Sequence, residues 1–368
     1  MIKLADPDIT AREIAAVARV LRSGTLSLGP ELAAFEGAFA KYVGRKHALA
    51  VCSGTAGLHL AVRALGLGPG DEVVTSPYSF IASVNCIRFE GARPVLADID
   101  PGTFNLDPAR AARKITRRTK ALLPVDIFGL PADFDAFQAL CDRHRLAMIE
   151  DSCEALGAEY RGRRCGSFGD ASVFGFYANK QITTGEGGMV VCDDDALHRL
   201  MAAMRNQGRS SMGGWLAHRI LGYNYRMSDL SAALGRVQLS RLPRLLARRQ
   251  RLAGAYRKLF ASQLPEFGTL GDRPGMARSW FVFAVLVPPS LKGARRDGLI
   301  KGLQESGIQC AHYFPALHLQ PALRDLGHRR GDFPVAEDIA DRSLAIPFHH
   351  GLTRPDQERI VRTIRRLV

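Results

Sequence analysis

Lys180 and Asp151 are the residues in this chain whose surroundings point most directly to chemistry. Lys180 lies in Phe174-Gly-Phe-Tyr-Ala-Asn-Lys180-Gln-Ile-Thr-Thr-Gly-Glu-Gly-Gly188, and Asp151 follows the apolar run Leu146-Ala-Met-Ile149-Glu150. A lysine that sheds its proton by desolvation attacks carbonyls and forms Schiff bases. Residues 171–176 read as a buried strand that delivers Lys180 at its end, into a loop loosened by Gly185, Gly187 and Gly188. The alternative for Lys180 is a solvated loop charge. For Asp151 it is a cap on the next turn, since aspartate is common at such ends.

Two further segments belong with this pair. Cys52-Ser53-Gly54-Thr55-Ala56-Gly57 follows a strand and opens a helix with the apolar stripe Leu58, Ala61, Val62 and Leu65. Free N–H groups at such a helix start bind phosphate, with Gly54 allowing close approach. An ordinary strand-to-helix turn with Thr55 as cap reads equally well. Phe80 follows the next strand in order, where its ring either stacks on a flat heteroaromatic ring or joins the core. A phosphate turn, a stacking aromatic, an aspartate that keeps a ring nitrogen protonated and a Schiff-base lysine, at successive strand ends, together point to pyridoxal phosphate (PLP).

Such convergence needs one sheet. Residues 48–51, 72–75, 94–97, 121–125, 147–149, 171–176 and 189–192 read as seven strands alternating with helical patterns, an α/β domain with a mostly parallel sheet. Ligands bind such sheets at the carboxyl edge of the strands. Helices are expected over 11–21 and 31–42, and a crossover helix carries Phe134, Phe137, Leu140 and Cys141. A long Leu/Arg-rich helix over 228–260 leads into a smaller α+β domain with a strand over 280–287, a strand and turn over 307–315 and a terminal helix after Thr353. The expected division is 1–240 and 241–368, without internal repeats.

Composition narrows the class. The 368 residues are 46% hydrophobic and 23% charged, as in soluble globular proteins. With no apolar run of membrane length and no signal-like start, a cytoplasmic protein is expected. The seven cysteines form no Cys-x-x-Cys pair and read as reduced core residues; no metal is expected. The net charge of +14 suits an anionic small molecule or nucleic acid. No nucleic-acid motif accompanies it, so solvated helix faces account for most of it and a regulatory DNA-binding protein is the distant alternative.

Across nearly its whole length the chain resembles the DegT/StrS family of sugar aminotransferases. The resemblance runs through Ser53-Gly-Thr-Ala56, Ser76-Pro-Tyr-Ser-Phe80, residues 124–133, Glu150-Asp-Ser-Cys-Glu154, Asn179-Lys180, Thr184-Gly-Glu-Gly-Gly188, Arg205-Asn-Gln-Gly-Arg209, Gly222-Tyr-Asn-Tyr-Arg226 and His312-Tyr-Phe-Pro315. It implies the PLP-dependent transferase fold of type I and a homodimer with shared active sites. Lys180 becomes the Schiff-base lysine and Asp151 the partner of the pyridine nitrogen, with Phe80 on the ring and Gly54, Thr55 and Ala56 at the phosphate. Asn224 reaches the phosphate of the neighbouring subunit's cofactor. Glu154 stands where many relatives carry His or Gln near the ring's phenolic oxygen, and when ionised it donates no hydrogen bond. Gly175 stands where many relatives place a phosphate-binding serine. Lys180 itself separates the chain from the family's dehydratase branch, where a histidine replaces it.

The activity so implied moves an amino group, from glutamate by family resemblance, to a keto sugar, such as a nucleoside-diphosphate-linked 4-keto or 3-keto deoxyhexose. A cyclitol-ketone aminotransferase and a lyase or dehydratase on the same scaffold remain alternatives. Arg205, Arg209 and Arg226 are candidate contacts for the diphosphate and His312, Tyr313 and His318 for the sugar, each able instead to pin a loop.

Overall fold

The seven apolar runs pair into one sheet in the computed structural model, which describes residues 1–209 and 217–368. Its strands are β1 (His47–Val51), β2 (Glu72–Thr75), β3 (Arg93–Leu96), β4 (Thr119–Leu123), β5 (Ala147–Asp151), β6 (Ala171–Gly175) and β7 (Gly188–Cys192). They lie in the order β1-β7-β6-β5-β4-β2-β3. Only β7 runs antiparallel to its neighbours, so the expectation of a mostly parallel sheet holds. The strands read as continuous apolar runs because both faces are covered. Val173 and Val190 point into one cluster, while Phe174, Met189 and Val191 point into another on the opposite face.

Before the sheet come α1 (Ala11–Ser23) and α2 (Pro30–Val43), as expected. Thr10 and Glu13 form a capping box on α1, and Gly24 ends it in the left-handed region. Helices α3 (Gly54–Ala64) and α4 (Ala82–Phe89) follow β1 and β2, and α5 (Phe134–His144) is the crossover between β4 and β5. After β7 come α6 (Asp195–Arg205) and then α7 (Asp229–Gln263), a single 35-residue helix with Pro243 inside it.

The C-terminal part is a three-stranded antiparallel sheet of β8 (Gly268–Thr269), β9 (Phe283–Leu286) and β10 (Ser343–Ile346). With it come α8 (Ala294–Glu305), α9 (Pro334–Arg342) and α10 (Arg354–Leu367). The strand expected over 307–315 does not form. Only isolated bridges, Ile308 to Ile2 and Ala311 to Ala345, are made there. Gly307 at φ 76° turns the chain in, and Pro315 offers no donor for a ladder. The division expected at residue 240 falls inside α7, with no loop to mark it. Ile2, from the other end of the chain, packs into the same core as β9 and α10.

Among the described residues no helix is long and apolar enough to cross a membrane. All seven cysteines are free, and five of them are buried.

Candidate active site

The carboxyl ends of the parallel strands open on a cavity of about 680 Å³. At the end of β1, Ser53 caps α3 through its Oγ, which accepts from the Ala56 N–H at 3.1 Å. Sequence reasoning had offered Thr55 as the cap. Serine wins because the capping position is the last extended residue, and Thr55 is already inside the first turn. The N–H groups of Gly54 and Thr55, both on the cavity, have no acceptor four residues back within the helix. A Cβ on Gly54 would stand 2.9 Å from Cys153 Sγ, so only glycine brings this turn so close to the β5 edge. The Ala56 N–H, by contrast, is committed to the cap.

Asp151 ends β5, 4% exposed, with its two oxygens divided between duties. Oδ1 accepts from the Cys153 N–H at 3.2 Å, which is the turn-capping role. Oδ2 accepts from Ser83 Oγ at 2.7 Å, and Ser83 is in turn 2.9 Å from Ser79 Oγ. The two hydroxyls lie at the start of α4 and fix the carboxylate's orientation on the cavity wall.

Lys180, in the loop after β6, lines the same cavity. Its Nζ lies 3.6 Å from Glu154 Oε1 and 3.8 Å from the centre of the Phe281 ring. Glu154 is buried, its other oxygen accepting from the Phe128 N–H at 2.9 Å. Burial pushes its pKa up from the ordinary carboxylate value, and the Lys180 ammonium and Phe128 N–H draw it back only partly.

Of the sequence candidates, Gly54, Thr55, Phe80, Asp151, Glu154, Gly175, Lys180, His312 and Tyr313 line this one cavity. Phe80 is 59% exposed, so it is no core residue and its ring is available at the rim. Tyr313 Oη accepts from Asn179 Nδ2 at 3.3 Å. The His312 imidazole points its Nε2 at the Ala340 carbonyl, 2.7 Å away, and burial beside Arg296 lowers its pKa.

The remaining candidates lie off the cavity. Arg205 donates to the Ala50 carbonyl at 2.7 Å and pairs with Glu36, holding β1 against α2. Arg226 donates to Asn206 Oδ1 at 2.9 Å, and Arg209 pairs through its backbone with His218. His318 is 1% exposed, with its Nε2 2.9 Å from Glu337 Oε1 and its ring against Phe333. The side chains of Arg205, Arg226 and His318 thus have partners within this chain, as the loop-pinning alternative expects. Asn224 is exposed and lies outside this chain's own cavity.

Sequence reasoning missed Ser83 and Phe281. Ser83 has a readable signal, since it lies one helical turn beyond Phe80 in the same strand-to-helix segment. Phe281 has none, because it meets Lys180 from the other part of the chain, 101 positions further along.

The donor set fits PLP. Free helix N–H groups suit its phosphate, a buried carboxylate suits a protonated ring nitrogen, and a lysine on the same cavity suits its aldehyde. The chain matches the DegT/DnrJ/EryC1/StrS aminotransferase family over residues 7–365. It is 41% identical over 340 residues to the GDP-perosamine synthase of Caulobacter vibrioides, covering 91% of this chain and 89% of that protein. The structure of S. venezuelae DesV in complex with a ketimine intermediate superposes with a TM-score of 0.92 at 37% identity, covering 99% of this chain and 98% of that one. Spr1654 of Streptococcus pneumoniae in its PLP-form superposes with a TM-score of 0.94 at 28% identity, covering 100% and 98%.

Proposed function

This chain belongs to the DegT/DnrJ/EryC1/StrS aminotransferase family and is a PLP-dependent sugar aminotransferase, and from that premise we propose that it moves an amino group from L-glutamate to a nucleoside-diphosphate-linked 4-keto or 3-keto deoxyhexose. The observation that carries the reading is the convergence of Lys180 Nζ, the Asp151 carboxylate and the start of α3 on one cavity.

When bound, PLP supplies an aldehyde that amines join and an electron-poor ring that withdraws charge from the carbon attached to them. The Gly54 and Thr55 N–H groups would hold its phosphate and Asp151 its ring nitrogen, with Phe80 covering the ring. Lys180 Nζ takes the proton from the donor's α-carbon and returns it one position away; in the second half it runs the same transfer in reverse on the sugar. Glu154 Oε1, 3.6 Å from Nζ, helps to hold the lysine nitrogen in place. His312 and Tyr313 line the same cavity as sugar contacts, and the rest of the lining is largely apolar, which excludes water around the transfer.

We infer further that the working unit is a homodimer. Its support is the exposure of Asn224, outside this chain's own cavity, together with the exposed apolar side chains Tyr177 and Leu221 that a second copy would cover.

The test is amine transfer followed by mass spectrometry with glutamate and a panel of nucleoside-diphosphate keto sugars. A mass change from ketone to amine on a nucleotide sugar supports the reading. Glutamate converted to 2-oxoglutarate with transfer only to a cyclitol ketone would redirect it.

A further inference from the structure

Arg249 lies in the middle of α7, 3% exposed, on a face otherwise occupied by Leu242, Leu245, Leu252 and Tyr256. Burial draws its pKa down to about 10, with no carboxylate to oppose that, and it stays a cation at neutral pH. A buried guanidinium without a counterion is costly, and a leucine or methionine would suit the apolar stripe. What the guanidinium does is donate to three main-chain carbonyls: Lys180 at 3.2 Å, Trp280 at 3.3 Å and Phe281 at 3.0 Å.

Lys180 and Phe281 are the two residues whose side chains meet in the cavity, Nζ over ring at 3.8 Å. The neighbouring Gln181 repeats the pattern. Its Nε2 donates to the Glu154 carbonyl at 2.5 Å and to Ser279 Oγ at 3.0 Å. The backbones of the lysine, its carboxylate neighbour and its aromatic neighbour are therefore tied together by two buried side chains, one of them on a helix that spans both parts of the chain.

We propose that Arg249 and Phe281 are positioning residues that hold the Lys180 ammonium beside Glu154 whenever it is not bonded to the cofactor, so that the lysine gives and takes protons at one fixed point. The inference rests on the reading of Lys180 as the Schiff-base lysine. A ring face within 4 Å favours the ammonium over the free amine, as does a carboxylate. The titratable groups around Nζ are Asp151, Cys153 and Glu154 from the β5 edge, Tyr177 and Glu186 from its own loop, and His312 and Tyr313 from the C-terminal part. Leucine at 281 removes the π face and leaves all of these in place.

The experiment strips the full-length chain of cofactor, adds PLP and follows the growth of the visible absorption band from pH 6 to 10. The rate reports the fraction of Lys180 that is the free amine. In Phe281→Leu the half-maximal rate moves to lower pH by about half a unit, with the thermal midpoint kept within a few degrees. Arg249→Met slows band formation about tenfold at every pH, and Arg249→Lys, which reaches fewer carbonyls, recovers part of the loss. An unshifted pH profile in Phe281→Leu overturns the proposal, as does natural-rate band formation in Arg249→Met. If Arg249→Met does not fold, Phe281→Leu decides alone. A visible band that persists in Lys180→Ala would instead overturn the reading of Lys180 itself.

Discussion

Gly175 leaves a gap that a single hydroxyl fills. It ends β6 on the cavity wall, and a Cβ built there would stand 3.5 Å from Cys153 Cβ and Sγ, ordinary contact that needs no rearrangement. Gly175→Ser is expected to fold normally and to tighten PLP about fivefold through one added hydrogen bond, measured by fluorescence titration of the cofactor-free chain. Gly54→Ala makes the contrast, since its Cβ meets Cys153 Sγ at 2.9 Å and cofactor affinity should fall. At this scale the sequence was most legible where residue type and strand-end position coincide, as at Lys180, Asp151, Gly54 and Phe80. It was least legible for arginines and histidines. Arg205 and His318 carry groups that suit a phosphate or a sugar, yet their partners, the Ala50 carbonyl and Glu337, lie far away in sequence or in an unrelated element. Burial, which decides between ligand and pin, is not written in spacing.

Two further buried acids, Glu150 on β5 and Asp126 just after β4, meet at Ser152. Asp126 and Glu150 are both fully buried, and Ser152 Oγ lies 2.6 Å from Asp126 Oδ2 and 2.8 Å from Glu150 Oε1. A hydroxyl has one proton to donate, so one carboxyl must supply the other. Burial raises the pKa of both groups, and the Glu150 charge raises that of Asp126 further. Groups raised on folding contribute stability that is full below their unfolded values, near pH 4, and is lost as pH rises through the folded values. The thermal midpoint should therefore fall as pH rises above about 4. In Asp126→Asn, which keeps the acceptor for the Ala132 N–H, that fall should be shallower; equal slopes by calorimetry would contradict the shared proton. Elements themselves were largely readable: seven strands, the crossover helix and the long α7 follow from apolar period and flanking turn residues. The exception was 307–315, whose apolar alternation suits a strand but whose neighbours offer it only single bridges.

The molecule as a whole was readable as α/β followed by α+β, but not how the two parts meet, because α7 and Ile2 cross between them. If sites are shared across a dimer, Lys180→Ala and Asn224→Ala, each inactive or weak alone, should regain up to half the natural activity in the mixed dimer isolated after co-expression. One site of each mixed pair then holds an intact Lys180 and an intact Asn224. No recovery in mixed dimers verified by mass would leave Asn224 without its proposed role. The central claim is that Lys180 exchanges amino groups through PLP, and a visible spectrum tests it most directly. The purified chain with PLP should show the band of lysine-bound cofactor, and glutamate should replace it with the ultraviolet band of the aminated cofactor while 2-oxoglutarate appears. Lys180→Ala should show neither change. A natural chain that binds PLP without the visible band, or whose band glutamate leaves untouched while another amine discharges it, would contradict the account of the lysine or of its donor respectively.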